Sequence, residues 1–126
     1  MPKKVIEITD APPANASYSL ALRAGDFIYV ASRTPRDAQG RIAGADVAAQ
    51  TRHVLSQIEQ ILAEAGATLD DLVKTTVFLS DMKHFDTYDA AYAEIVPSPR
   101  PVRTTAASRL DEGVHVEIDA VAYVGK

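Results

Sequence analysis

Asp46-Val47-Ala48-Ala49-Gln50-Thr51-Arg52-His53-Val54-Leu55-Ser56-Gln57-Ile58-Glu59-Gln60-Ile61-Leu62-Ala63-Glu64-Ala65, followed at once by Gly66, is the stretch that decides the fold. Val47, Thr51, Val54, Leu55, Ile58, Ile61, Leu62 and Ala65 recur at steps of three and four, so they share one helical face. Asp46 suits the N-cap, and Gly66 suits the left-handed position just past the C-terminus. A helix with one apolar stripe must bury it against a second layer, and the flanking segments supply short strands.

Downstream, Leu72 to Leu79 reads as a buried strand, and a second helix is expected from His84 to Val96 with Phe85, Tyr88, Tyr92 and Ile95 on one side. Pro97-Ser98-Pro99-Arg100-Pro101 ends it, because proline removes a donor and disfavours helix in the residue before it. The last third reads as a hairpin: Arg103 to Leu110, a turn at Asp111-Glu112-Gly113, then Val114 to Val124. In that final strand Val114, Val116, Ile118, Ala120 and Ala122 share the core face, while His115, Glu117, Asp119, Val121 and Tyr123 take the other.

Upstream, Lys4 to Ile8 reads as a strand broken by Ala11-Pro12-Pro13-Ala14-Asn15-Ala16. Ser19 to Leu22 and Phe27 to Ala31 form two strands across the turn Arg23-Ala24-Gly25-Asp26, and Thr34 to Gly44 is an exposed loop. The order is β-β-β-α-β-α-β-β, an α+β pattern with a mixed sheet covered on one face by two helices. The opposite face carries apolar residues as well, and self-association is the natural way to cover it.

With 126 residues, 47% of them apolar and 24% charged, the chain has the makings of a single globular domain over 1–126. Its net charge of −4 argues against a nucleic-acid partner, whose phosphates call for a basic surface. The absence of cysteine removes thiolate nucleophiles and Cys-ligated metal sites. His53, His84 and His115 lack metal-ligand spacing and read as surface or packing residues, so neither a metal nor a cofactor is expected. No apolar run is long enough for a membrane span, and a cytoplasmic location is the expectation.

Arg103 is the most informative residue. It follows Pro101-Val102 and opens an apolar strand, where a guanidinium needs a partner. That partner is either a substrate carboxylate, held by the two-pronged donor, or a structural carboxylate such as Asp119 or Glu117. Glu117, between Val116 and Ile118, either pairs with an arginine or holds a water as general base. Tyr18 is a pocket wall or an ordinary buried aromatic. Ser32 and Arg33 end a strand, where both ligand-facing groups and solvated loop residues occur. Thr104 and Thr105 are good strand formers.

Taken together, the motifs resemble the RidA family, the YjgF-like reactive-intermediate deaminases, over nearly the whole chain. The resemblance rests on Ala11-Pro12 through Tyr18, Ala45-Asp46-Val47-Ala48-Ala49-Gln50-Thr51, Leu72-Val73-Lys74-Thr75-Thr76-Val77-Phe78-Leu79-Ser80-Asp81-Met82, Pro101-Val102-Arg103-Thr104-Thr105 and Val116-Glu117-Ile118-Asp119-Ala120-Val121-Ala122. It implies a chorismate-mutase-like fold, a homotrimer with inter-subunit clefts, and cofactor-free hydrolysis of enamines and imines such as 2-aminoacrylate to keto acids and ammonia. In that reading Arg103 clamps a small carboxylate substrate and Glu117 positions or deprotonates the attacking water. Tyr18 lines the cleft, and main-chain groups near Ser32 and Thr105 hold the substrate amine. Arg33 and Ser32 would suit an additional substrate carboxylate.

The chain departs from the family pattern in four places. Ala16-Ser17-Tyr18-Ser19-Leu20 stands for Gly-Pro-Tyr-x-Gln, and Ala31-Ser32-Arg33 stands for Ser-Gly-Gln. The span from Arg103 to Arg109-Leu110 is one residue shorter, which bears on which face Arg103 takes relative to Glu117. The proline-rich segment before Arg103 is shorter too. Two alternatives stay open: a non-catalytic or regulatory small-carboxylate-binding trimer on this scaffold, and a deaminase for a different catabolic enamine acid.

Overall fold

A computed structural model of the chain describes residues 2–8 and 16–125. Eight elements carry the architecture: β1 (Lys4–Val5), β2 (Ala21–Ala24), β3 (Phe27–Arg33), α1 (Val47–Glu64), β4 (Leu72–Leu79), α2 (Phe85–Ile95), β5 (Val102–Ala107) and β6 (Val116–Tyr123). The strands form one sheet in the order β1-β2-β3-β6-β4-β5, antiparallel throughout except for the parallel pair β4–β5. The expected α+β fold, a mixed sheet with two helices, is what the chain adopts.

Helix α1 begins and ends where its caps predict. The Asp46 side chain accepts from the Ala49 N–H at 2.9 Å, and Gly66 takes φ 82° just beyond the helix. Val54, Leu55, Ile58 and Leu62 are fully buried against Ile28, Val30, Val116, Ile118 and Ala120 of the sheet. Gln50 is buried among them, which the apolar pattern does not announce. Its Nε2 donates to the carbonyls of Gly44 (3.2 Å) and Gly113 (2.9 Å), and its Oε1 accepts from the His115 N–H at 2.8 Å. One side chain thereby ties α1 to the loop before it and to the segment entering β6.

Several boundaries shift. β1 is only Lys4–Val5, although the Ile6 N–H still reaches the Ala21 carbonyl at 3.1 Å. The β2–β3 turn tightens to Gly25-Asp26, with Gly25 at φ 59°. Of the expected break from Ala11 to Ala16, residues 11–15 lie outside the described residues. The expected C-terminal hairpin does not form. β5 pairs with β4, β6 lies between β3 and β4, and the turn at Asp111 to Val114 closes without joining paired strands. The physical reason lies in β4: Val77 and Leu79 are fully buried, so the strand requires ladder partners on both edges. A local hairpin between β5 and β6 would leave one edge of it bare.

Both helices cover the same face of the sheet. On the other, Phe27, Tyr29 and Tyr123 remain 38–45% exposed, with the Phe27 ring 5.1 Å from Tyr123 and 6.4 Å from Tyr29. Among the described residues no helix is long and apolar enough to cross a membrane, and no group of three or more His, Asp or Glu is placed to hold a metal ion.

Candidate functional site

The parallel register sets Arg103 beside Thr75 and Thr105 beside Val77. Thr75 and Val77 are buried toward the helices, so Arg103 and Thr105 project there too, under α2. Spacing of three and four along α2 brings Phe85, Tyr88 and Tyr92 over that spot. The Arg103 guanidinium carbon lies 4.9 Å from the Tyr92 ring centroid, 5.2 Å from Tyr88 and 5.7 Å from Phe85. Such contacts lower the cost of holding a cation half out of water.

Both tyrosine hydroxyls are engaged. Tyr88 Oη and Thr105 Oγ1 are 2.7 Å apart, and Tyr92 Oη and Thr75 Oγ1 are 2.6 Å apart. Burial pushes both phenols above their ordinary pKa, and it outweighs the hydrogen bonds and the nearby Arg103 charge that act the other way. They are neutral at physiological pH. The carboxylate that meets Arg103 belongs to Asp89, whose Oδ1 accepts from Arg103 Nη1 at 2.7 Å. Neither Asp119 nor Glu117 is the partner, because both lie on β6, with β4 between that strand and Arg103.

The remaining expected site residues are spread across the sheet. Glu117 alternates with buried Val116 and Ile118, so it faces away from the helices and therefore away from Arg103. Tyr18 is 57% exposed in the segment before β2. Ser32 and Arg33 end β3, three strand spacings from β5, or roughly 14 Å at about 4.8 Å per spacing. A bulge between Val30 and Arg33 adds one residue and pairs Arg33 with Ile118, which turns its side chain to the helix face. There it lines a cleft with His53 and Gln57 of α1, its Nε buried without a hydrogen bond. The chain thus gathers Arg103 and Thr105 at one place, and leaves Tyr18, Ser32, Arg33 and Glu117 elsewhere.

What sequence reasoning missed is α2's contribution. Phe85, Tyr88 and Tyr92 read as core, and Asp89 drew no attention. Its signal was positional: Asp89 is four residues after Phe85 and three before Tyr92, at the margin of the aromatic face. The histidines hold loops in place. His53 Nε2 lies 3.0 Å from the Arg36 carbonyl, and His115 Nδ1 lies 3.1 Å from Ser80 Oγ, with the His84 ring 5.0 Å away.

The chain is similar to known proteins over nearly its full length. A family model described as endoribonuclease L-PSP matches residues 8–124. A RutC family protein of Pyrococcus abyssi is 40% identical over 125 residues, 98% of each chain. The 3-aminoacrylate deaminase RutC of Acinetobacter baylyi is 36% identical over 126 residues, covering 98% of this chain and 100% of that one. The crystal structure of E. coli TdcF with bound serine superposes with a TM-score of 0.83 at 30% identity, covering 97% of this chain and 99% of that one. Matched over nearly its full length by the family model and by these relatives, the chain belongs to the YjgF/RidA family.

Proposed function

We propose that this protein hydrolyses small enamine and imine acids, of the 2-aminoacrylate type, to keto acids and ammonia. The observation that carries the proposal is Arg103, a half-buried guanidinium seated against three aromatic rings with one nitrogen engaged by Asp89. No hydrogen bond from its Nε or Nη2 occurs among the described residues, so the N–H groups of two nitrogens remain for a ligand carboxylate. The naming of one relative as a 3-aminoacrylate deaminase, and the serine bound in another, support a small amino-acid-derived substrate.

In this reading Arg103 anchors the carboxylate and fixes the orientation of the imine carbon, while Glu117 holds the water that adds to it. Imines hydrolyse readily in water, so positioning and a carboxylate base supply the acceleration. Within one chain Arg103 and Glu117 lie on opposite faces of the sheet. They can act on one substrate only across an interface, and a homotrimer joined through the open sheet face would provide it. Phe27, Tyr29 and Tyr123 give that face apolar surface to bury.

The test couples a PLP-dependent dehydratase, which releases 2-aminoacrylate from serine, to semicarbazide trapping. Wild-type protein is expected to suppress semicarbazone formation, while Arg103→Met and Glu117→Gln each fail alone. Mixed trimers refolded from the two variants should regain part of the activity. Wild type that leaves the semicarbazone yield unchanged refutes the deaminase reading. Inactive mixed trimers beside active wild type refute the cross-interface pairing.

A further inference from the structure

Arg103 does not present a bare positive charge. Asp89 Oδ1 sits 2.7 Å from its Nη1, and the two side chains are 24% and 46% exposed, so both reach the same stretch of surface. Among the described residues Asp89 Oδ2 accepts no hydrogen bond, just as Arg103 Nε and Nη2 donate none. A donor edge and an acceptor edge of opposite charge therefore lie side by side. A ligand that is only an anion is attracted by Arg103 and repelled by Asp89, so part of the attraction is offset. A ligand with a cationic nitrogen one carbon from its carboxylate meets complementary charge at both ends.

We infer that Asp89 is a specificity-determining residue that receives the cationic nitrogen of a zwitterionic substrate whose carboxylate lies on Arg103. The inference rests on the deaminase reading for the identity of that substrate. There the zwitterion is the protonated imine. The enamine takes a proton at its methylene carbon, and the nitrogen lone pair becomes the C=N bond of an iminium. Water adds to the iminium carbon, and the C–N π electrons return to nitrogen. After one proton passes from the added oxygen to nitrogen, the C–N bond breaks with its electrons on the departing ammonia, and an oxygen lone pair becomes the C=O bond. The oxygen's remaining proton returns to solvent in place of the one taken up at the methylene carbon, leaving the keto acid. A carboxylate beside the nitrogen favours its cationic form, which is the electrophile that water attacks. Tyr88 and Tyr92, kept neutral by burial, add no competing anion.

The test measures binding and needs no turnover. L-alanine and L-lactate differ only in an ammonium in place of a hydroxyl, and both are titrated calorimetrically into wild type, Asp89→Asn and Asp89→Glu. Wild type should bind alanine about two- to fivefold tighter than lactate, the range expected of a partly exposed charge pair. Asp89→Asn should erase that preference by weakening alanine and strengthening lactate, and Asp89→Glu should restore it. Equal affinities in wild type, a preference that survives Asp89→Asn, or no millimolar binding of either acid overturns the inference. If the preference follows residue 89 in a protein without turnover, the deaminase reading fails and the inference stands. If turnover is present but the preference ignores residue 89, the inference fails and the reading stands.

Discussion

Replacing Arg103 separates a ligand-binding arginine from a structural one, because the two roles lose different quantities. With Nη1 engaged by Asp89, an incoming carboxylate has Nε and Nη2 to bind. Hydrogen bonds to charged groups contribute about 1.5–3 kcal/mol each, and a guanidinium open to solvent belongs at the lower end. Arg103→Met should therefore cost about 3 kcal/mol of transition-state binding, or about 150-fold in kcat/KM at about 1.4 kcal/mol per tenfold. Arg103→Lys keeps the charge but not the fork, so about tenfold is expected. Folding should barely respond. The ion pair is partly exposed on both sides and worth at most about 1 kcal/mol, and methionine sulfur against Phe85, Tyr88 and Tyr92 recovers part of the lost ring contacts. Semicarbazone suppression at varied serine-dehydratase flux reads the first quantity, and thermal unfolding of the same preparations reads the second. Activity of Arg103→Met within threefold of wild type, or a melting point lowered by more than about 8 °C with activity per folded molecule intact, would show the arginine to be structural.

Three further outcomes are expected. Tyr88 and Tyr92 have folded-state pKa values raised by burial, so their contribution to stability is present below the unfolded value of about 10 and is lost as pH rises through the folded values. Urea midpoints should accordingly fall above about pH 10, and Tyr88→Phe should flatten that decline; an unchanged alkaline slope contradicts the buried assignment. Gln50→Leu strands the His115 N–H and two carbonyls around a buried position and should cost about 2–3 kcal/mol by chemical denaturation, a loss under about 0.5 kcal/mol meaning that water replaces the amide. Light scattering should give three times the chain mass, and Tyr29→Lys on the open sheet face should lower it without loss of helical circular dichroism. A wild-type monomer at micromolar concentration refutes the trimer.

The α1 boundaries, β4 and the alternation of β6 were legible because each rests on local chemistry: a cap, a periodicity of 3.6 or 2, a glycine at positive φ. The apparent C-terminal hairpin misled for a related reason. Asp111-Glu112-Gly113 does turn the chain, but pairing depends on which edges need partners, and β4, distant in sequence, claims both. The candidate site was legible in two strand residues, Arg103 and Thr105, and not in the helix that covers them. Arg103 stood out as a guanidinium opening an apolar strand, whereas its partner lay fourteen residues away on a helix, with no sequence cue to orient that helix over β5.

By itself the amino-acid sequence determined the fold class, the helix caps, the core face of β6 and the family, all of which follow from neighbours within a few residues or from motifs spread along the whole chain. Only the tertiary structure decided that Arg103 answers to Asp89, that one inserted residue turns Arg33 to the helix side, and that Glu117 faces away from Arg103. Those outcomes depend on strand order and register, in which a shift of one residue exchanges the two faces of the sheet, and register is set by packing between segments far apart in the chain.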